Sequence, residues 1–154
     1  METITIQIFQ YDVYDEVAKA TDYTGAKLID GDEKARDRIL AADDDLATLN
    51  RFWEESVMAT NERFKQILVS GTTRQLADKT VYEGILEVSR AFDKTLTESV
   101  QSTIRSFFIA SIIGQWFKFA NKGEASDYFA QGAELIEAAE RMLYSRKRPA
   151  LPKD

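Results

Sequence analysis

The sequence contains neither cysteine nor histidine. Without cysteine there is no disulfide, no thiolate nucleophile and no sulfur ligand. Without histidine the commonest general base near neutral pH is gone, together with the usual nitrogen ligand of zinc. Most catalytic constellations are thereby excluded, and no residue is assigned to catalysis, to a cofactor or to a metal. Positive charge is also short: 20 Lys and Arg stand against 26 Asp and Glu, a formal charge of -6. That balance opposes blanket electrostatic binding of nucleic acid and leaves one local basic cluster, Arg141, Arg146, Lys147, Arg148 and Lys153. Long apolar runs are missing too. The longest, Phe107 to Phe119, falls short of the roughly 20 residues a membrane-spanning helix needs and contains Ser111, Gln115 and Lys118, so it reads as buried in protein. The opening METITIQIFQYDVYDE places acid where a secretory leader needs positive charge, which predicts a protein that stays inside the cell that makes it.

What is present suits one folded domain. The chain has 154 residues, 44% of them hydrophobic and 30% charged, with two prolines, enough to bury a single core along most of its length. Thr3 to Phe9 alternates, with Ile4, Ile6 and Ile8 on one side, which predicts a short N-terminal strand. From Asp12 the spacing becomes helical through Val13, Val17 and Ala20, and Gly25 marks the expected end. Asp30 to Glu33 reads as a turn into a short helix, Lys34 to Ala41. Asp43-Asp44-Asp45 supplies an N-cap for a long helix whose stripe is Leu46, Leu49, Phe52, Trp53, Val57 and Phe64, running to about Gln66.

Residues 67–91 turn towards strand formers, ILVSGTT and VYEGILEVS joined by RQLADKT. They predict a β-hairpin, with a helix from Val81 to Phe92 as the rival reading and Gly84 in favour of strand. A closing helix pair occupies residues 95–146. The first member starts at Thr95 and Thr97 and stops at Asn121-Lys122-Gly123; the second covers Glu124 to Arg146. Residues 147–154 form a basic tail. The fold class expected is α+β, mainly α: a small helical bundle with an inserted β-hairpin and a short N-terminal strand arm.

The candidate motifs have ordinary readings beside functional ones. The acids Asp30, Asp32, Glu33, Asp43, Asp44 and Asp45 lack the offsets of a calcium loop, since Lys34 and Arg36 stand at ligand positions, and are read as caps and a solvated face. Glu134, Glu137 and Glu140 lack the histidines of a di-iron site and are read as a solvated edge partly balanced by Arg141. Ser70-Gly71-Thr72-Thr73 lacks the Gly-Lys-Ser/Thr ending of a phosphate loop and is read as a turn. In the first closing helix Val100, Ile104, Phe107, Phe108, Ile112, Trp116 and Phe119 make one stripe, which Ile109, Ile113 and Phe117 widen until few sides stay polar. A single antiparallel neighbour cannot cover such a helix. Phe107, Ile109, Ile113, Trp116 and Phe117 are therefore either core throughout or partly buried by a partner subunit. The tail is either a frayed terminus or an arm, with Arg146, Lys147 and Arg148 docking it on an acidic neighbour or on DNA phosphates.

In two segments the chain resembles the head-tail connector (adaptor) family of tailed bacteriophages, and more closely proteins of phages and prophages of Bacteroides-type bacteria. The first is VYDEVAKATDYTGAK with ILAADDDLATLNRFWEESVMATNERF. The second is SFFIASIIGQWFKFANKGEASDYFAQGAELIEAAERMLYSRKRP, in which IIGQWFKFAN is similar to the apolar-aromatic helix that closes the connector fold. The resemblance implies a small helical bundle whose copies form a ring, by family a dodecamer, below the portal protein. It further implies contact with a tail or neck protein, DNA passing through the channel without specific binding, no membrane, and assembly in the bacterial host cytoplasm into the virion neck. The strand Thr3 to Phe9 and the longer tail depart from the family pattern. The function expected is that of a non-catalytic virion structural protein; the alternatives are another neck or tail-completion protein, or a soluble helical regulatory module.

Overall fold

The computed structural model describes residues 1–28 and 46–146, apart from the side chains of residues 22–28, 119 and 120. The expected turn and helix within 30–41, the acidic caps Asp43 to Asp45 and the tail residues Lys147 and Arg148 lie outside the described residues.

The alternating start forms β1, Glu2–Phe9, with Ile4, Ile6 and Ile8 buried. It runs straight into α1, Gln10–Leu28, whose Val13, Val17 and Thr21 line up at four-residue spacing and are all buried. Gly25 was the expected end, yet the helix passes through it; one helical glycine costs only about 1 kcal/mol, too little to stop a helix already propagating. α2, Leu46–Arg63, buries Leu49, Phe52, Trp53, Ser56, Val57 and Thr60. Leu46, placed on the stripe by spacing, is exposed in its first turn.

β2, Leu68–Leu76, and β3, Lys79–Val88, form the expected hairpin, and the helical rival for residues 81–92 fails. Most of the connection RQLADKT is strand; the turn itself is Ala77 and Asp78, both at positive φ, 47° and 65°. A two-residue turn of that hand matches the twist of the strands it joins. Ser70-Gly71-Thr72-Thr73 is likewise strand, within β2 and paired with β3. β1 is no detached arm either: its whole length pairs antiparallel with residues 81–88 of β3, giving the sheet order β1-β3-β2. The alternation of β1 that signalled a strand also needed a partner, and β3 offers Leu86 opposite Ile4 and Tyr82 opposite Ile8 on the same face.

A 3-10 turn, Lys94–Leu96, leads into α3, Thr97–Ala120. The cap there is Asp93, whose carboxylate accepts from the Thr95 backbone N–H at 3.0 Å and from the Thr95 hydroxyl at 2.6 Å. Asn121 alone separates α3 from α4, Lys122–Tyr144; extended at φ -157°, it ends one helix and caps the next through Glu124 N–H at 3.4 Å. The break is therefore narrower than Asn121-Lys122-Gly123, because asparagine serves both roles. α1, α2 and α3 pack on the sheet, and α3 is central: α1, α2, α4 and β1 all pack against it.

Candidate functional site

The surroundings of α3 decide where its apolar surplus goes. Phe108 lies edge-on to Trp53 of α2, ring centroids 5.0 Å apart, and 5.4 Å from Tyr82 of β3. Phe117 stacks on Tyr128 of α4 at 5.7 Å. Ser56 and Ser111 hydrogen-bond at 3.1 Å where α2 crosses α3. On the β1 side, the Gln101 side chain accepts from the backbone N–H of Gln7 at 2.9 Å, and Arg105 pairs with Asp12 of α1. Phe107, Ile113, Trp116 and Phe117 are all buried, and Ile109 is half-buried. The inference that one antiparallel neighbour cannot cover this helix is sound, but the further cover comes from the same chain. The apolar surface of those four side chains is spent on the core.

Glycines set the spacing of the closing pair. The ring of Phe129 lies against Gly114, where a Cβ would approach it to 2.8 Å, while a Cβ at Gly132 would meet the Phe107 ring at 3.6 Å, an ordinary contact. A second glycine pair lies in the sheet, where Gly71 and Gly84 are directly opposite in register. They leave a bare floor over which the Tyr82 side chain lies, its hydroxyl donating to Asn61 Oδ1 at 2.7 Å. Asn61 Nδ2 donates in turn to the Gly71 carbonyl at 2.9 Å. Nearby, Trp53 Nε1 donates to Thr73 Oγ1 at 3.1 Å. Burial pushes the Tyr82 phenol up to about 12, and burial followed by the Glu54 charge raises that of Tyr14, whose hydroxyl donates to Asn50 at 2.7 Å. These groups are hydrogen-bonded to one another, so they hold α2 on the sheet and on α1. A void of about 10 Å³ remains beside Gly84, lined by Ile6, Thr60, Phe64 and Ile104.

The charged candidates resolve into surface pairs. Glu140 takes a two-point contact from Arg63 of α2 at 3.0 and 3.2 Å, and Glu137 pairs with Arg141 at 3.2 Å. Arg63 as the partner of the Glu134, Glu137 and Glu140 ladder was not visible in the sequence, since it comes from a different helix. The Arg105 guanidinium beside Asp12, chiefly through its hydrogen bond, holds that carboxyl below the usual range. Across the outer face of the sheet, Glu83 accepts from Gln7 at 3.0 Å and from Arg74 at 3.0 Å, tying all three strands in one row. Among the described residues no group of three or more acidic side chains could hold a metal, and no helix is long and apolar enough to cross a membrane.

What remains for interaction is the exposed apolar surface, and sequence spacing did not single it out. Tyr11 is 58% exposed at the start of α1, 5.9 Å from Phe9, with Lys79 of the hairpin 4.8 Å above its ring. Leu76, paired with Lys79, is also exposed at the hairpin tip. Phe129 is 41% exposed on α4, and Met58 is 68% exposed on α2. Arg146 is exposed just after α4. The signal that could have found Tyr11 is its place between two periodicities, belonging to neither the strand face nor the helix stripe. In comparisons with protein-family models, curated proteins and solved structures, nothing matches this chain.

Proposed function

We propose that this chain is a non-catalytic structural protein of the virion neck, a head-tail connector whose copies form a ring between portal and tail. The observation that carries the reading is the presence of two exposed aromatic side chains on different elements of the fold. One is Tyr11 at the start of α1, beside Lys79 of the hairpin; the other is Phe129 on α4, the helix that packs on α3. A ring is built by a head-to-tail interface, which needs two different surfaces on every copy, whereas a two-fold dimer needs one surface that matches itself. The mainly helical fold with an inserted hairpin agrees with the connector pattern, and the formal charge of -6 suits a channel wall that does not hold DNA phosphate. A soluble regulatory module is the second reading, since one patch would then meet a partner protein of another kind.

Sedimentation of the purified chain across a concentration series, with mass spectrometry of intact particles, separates them. The connector reading expects closed oligomers larger than a dimer and the chain in particles beside portal protein. A monomer at every concentration that is missing from particles overturns it.

A further inference from the structure

The two ends of the sheet differ in character. Where β3 finishes, a depression of about 210 Å³ is walled by Ile67, Val88 and Leu143, and Glu87 and Arg146 also line it. A second depression, about 120 Å³, shares Ile67 and Glu87 with the first and continues to Val69, so one furrow runs from the end of α4 onto β2. Val88 and Leu143 are buried at its floor. Glu87 and Arg146 are exposed, and neither forms an ion pair with any described residue. The larger depression is smaller than the roughly 300–1,000 Å³ of a small-molecule site and suits a single large side chain.

Where β3 begins, the surface projects instead. Tyr11 is mostly exposed there, with the Lys79 ammonium 4.8 Å above its ring and Leu76 exposed opposite Lys79. Asp78 is exposed in the turn, and neither it nor Lys79 forms an ion pair with any described residue. The eight residues of β1, about 25 Å of strand, separate this knob from the furrow, so no copy can fill its own. We propose that the furrow receives the Tyr11 knob of a second copy, with Lys79 meeting Glu87 and Asp78 meeting Arg146.

Shape and charge support that occupant. An aromatic ring seated in an apolar pocket is the usual anchor of an interface, and tyrosine keeps its polar tip free to meet water at the mouth. Each end of the sheet carries one cation and one anion that lack a described counter-ion, and the base and acid of the knob match the acid and base of the furrow. Such pairs fix orientation and register more than they add affinity. The contact joins unlike surfaces, so it repeats from copy to copy. The inference rests on the connector reading and adds to it the surface that receives Tyr11; α4, the helix that carries Phe129, supplies Leu143 to that surface.

Charge exchange in the full chain, followed by sedimentation, provides the test. Lys79→Glu and Glu87→Lys should each move half-assembly to about tenfold higher concentration, since each sets like charges face to face. The double variant, and an equimolar mixture of the two single variants, should return it to the starting value, which also shows that the single variants are folded. The chain has no cysteine, so Ala77→Cys combined with Ser89→Cys gives a second readout. A short bis-maleimide should link that variant into a ladder, whereas either cysteine alone should yield at most pairs. Closed oligomers that neither charge variant disturbs overturn this contact and leave the connector reading standing. Loss of assembly that the double variant does not recover also overturns it. A chain that stays monomeric at every concentration and gives no ladder overturns both.

Discussion

Gly71 shows how much one missing methyl group decides. A Cβ there would stand 2.2 Å from Asn61 Oδ1, so Gly71→Ala must expel the asparagine and break its bonds to Tyr82 and to the Gly71 carbonyl. The expected cost is about 1–3 kcal/mol in urea unfolding, the penalty for stranding enclosed polar groups. Adding Asn61→Ala to Gly71→Ala should cost far less than Asn61→Ala alone, since both act on one network; additive costs would refute the coupling. Tyr82 carries the pH signature of the same network. Its phenol is held near 12 by burial, above the unfolded value near 10. A raised acid favours the folded state fully below pH 10, and that contribution is lost as the pH climbs from 10 to 12. Tyr14, raised for the same reason, titrates out beside it. Tyr82→Phe should therefore flatten, without abolishing, the alkaline fall in stability followed by circular dichroism. At the hairpin, Ala77 at φ 47° occupies a region that costs a residue with a side chain about 1–2 kcal/mol. Ala77→Gly should recover part of that, with a higher urea midpoint and an unchanged slope.

Among elements, the α3 and α4 pair is held by two glycines with opposite tolerances. Gly132 has ordinary contact room before Phe107, so Gly132→Ala gains helix propensity and should stabilise by about 0.5–1 kcal/mol. Gly114 has no such room, because a Cβ would press to 2.8 Å on the Phe129 ring. Gly114→Ala should give no gain, and Phe129→Ala should unmask one; thermal unfolding of the three variants checks the ordering. The strand β1, the hairpin and all four described helices were legible in the sequence, because each depends on local periodicity of 2 or 3.6 residues. Their ends were less so. The helix that passes Gly25, the strands that reach Ala77 and the single break at Asn121 each follow from continuation costing less than stopping, a balance that spacing alone does not carry.

At the level of the whole molecule, the two apolar patches make the assembly prediction specific. Tyr11→Ser and Phe129→Ser should each lower the oligomer fraction in sedimentation by about tenfold, the effect of losing one interface aromatic; the unfolding midpoint should change little for Tyr11→Ser, whose ring is mostly exposed, and fall for Phe129→Ser, which also loses the contact with Gly114. If neither variant alters assembly, these patches are not the ring contacts. The candidate interface on α3 was read from its composition, and composition did determine that this helix must be covered on several sides. It also determined the mainly helical α+β class of the fold and the removal of histidine and cysteine chemistry, because residue type and spacing are properties of the chain alone. Which surfaces provide the cover was decided only in three dimensions. Trp53 and Tyr82 reach Phe108 from elements far apart in sequence and Tyr128 reaches Phe117 across the turn at Asn121, so Phe107, Ile113, Trp116 and Phe117 close inside one copy while Tyr11 and Phe129 stay outside. A helix specifies how much apolar area it must hide; its neighbours, brought there by the topology of the sheet and the turn at Asn121, specify against what.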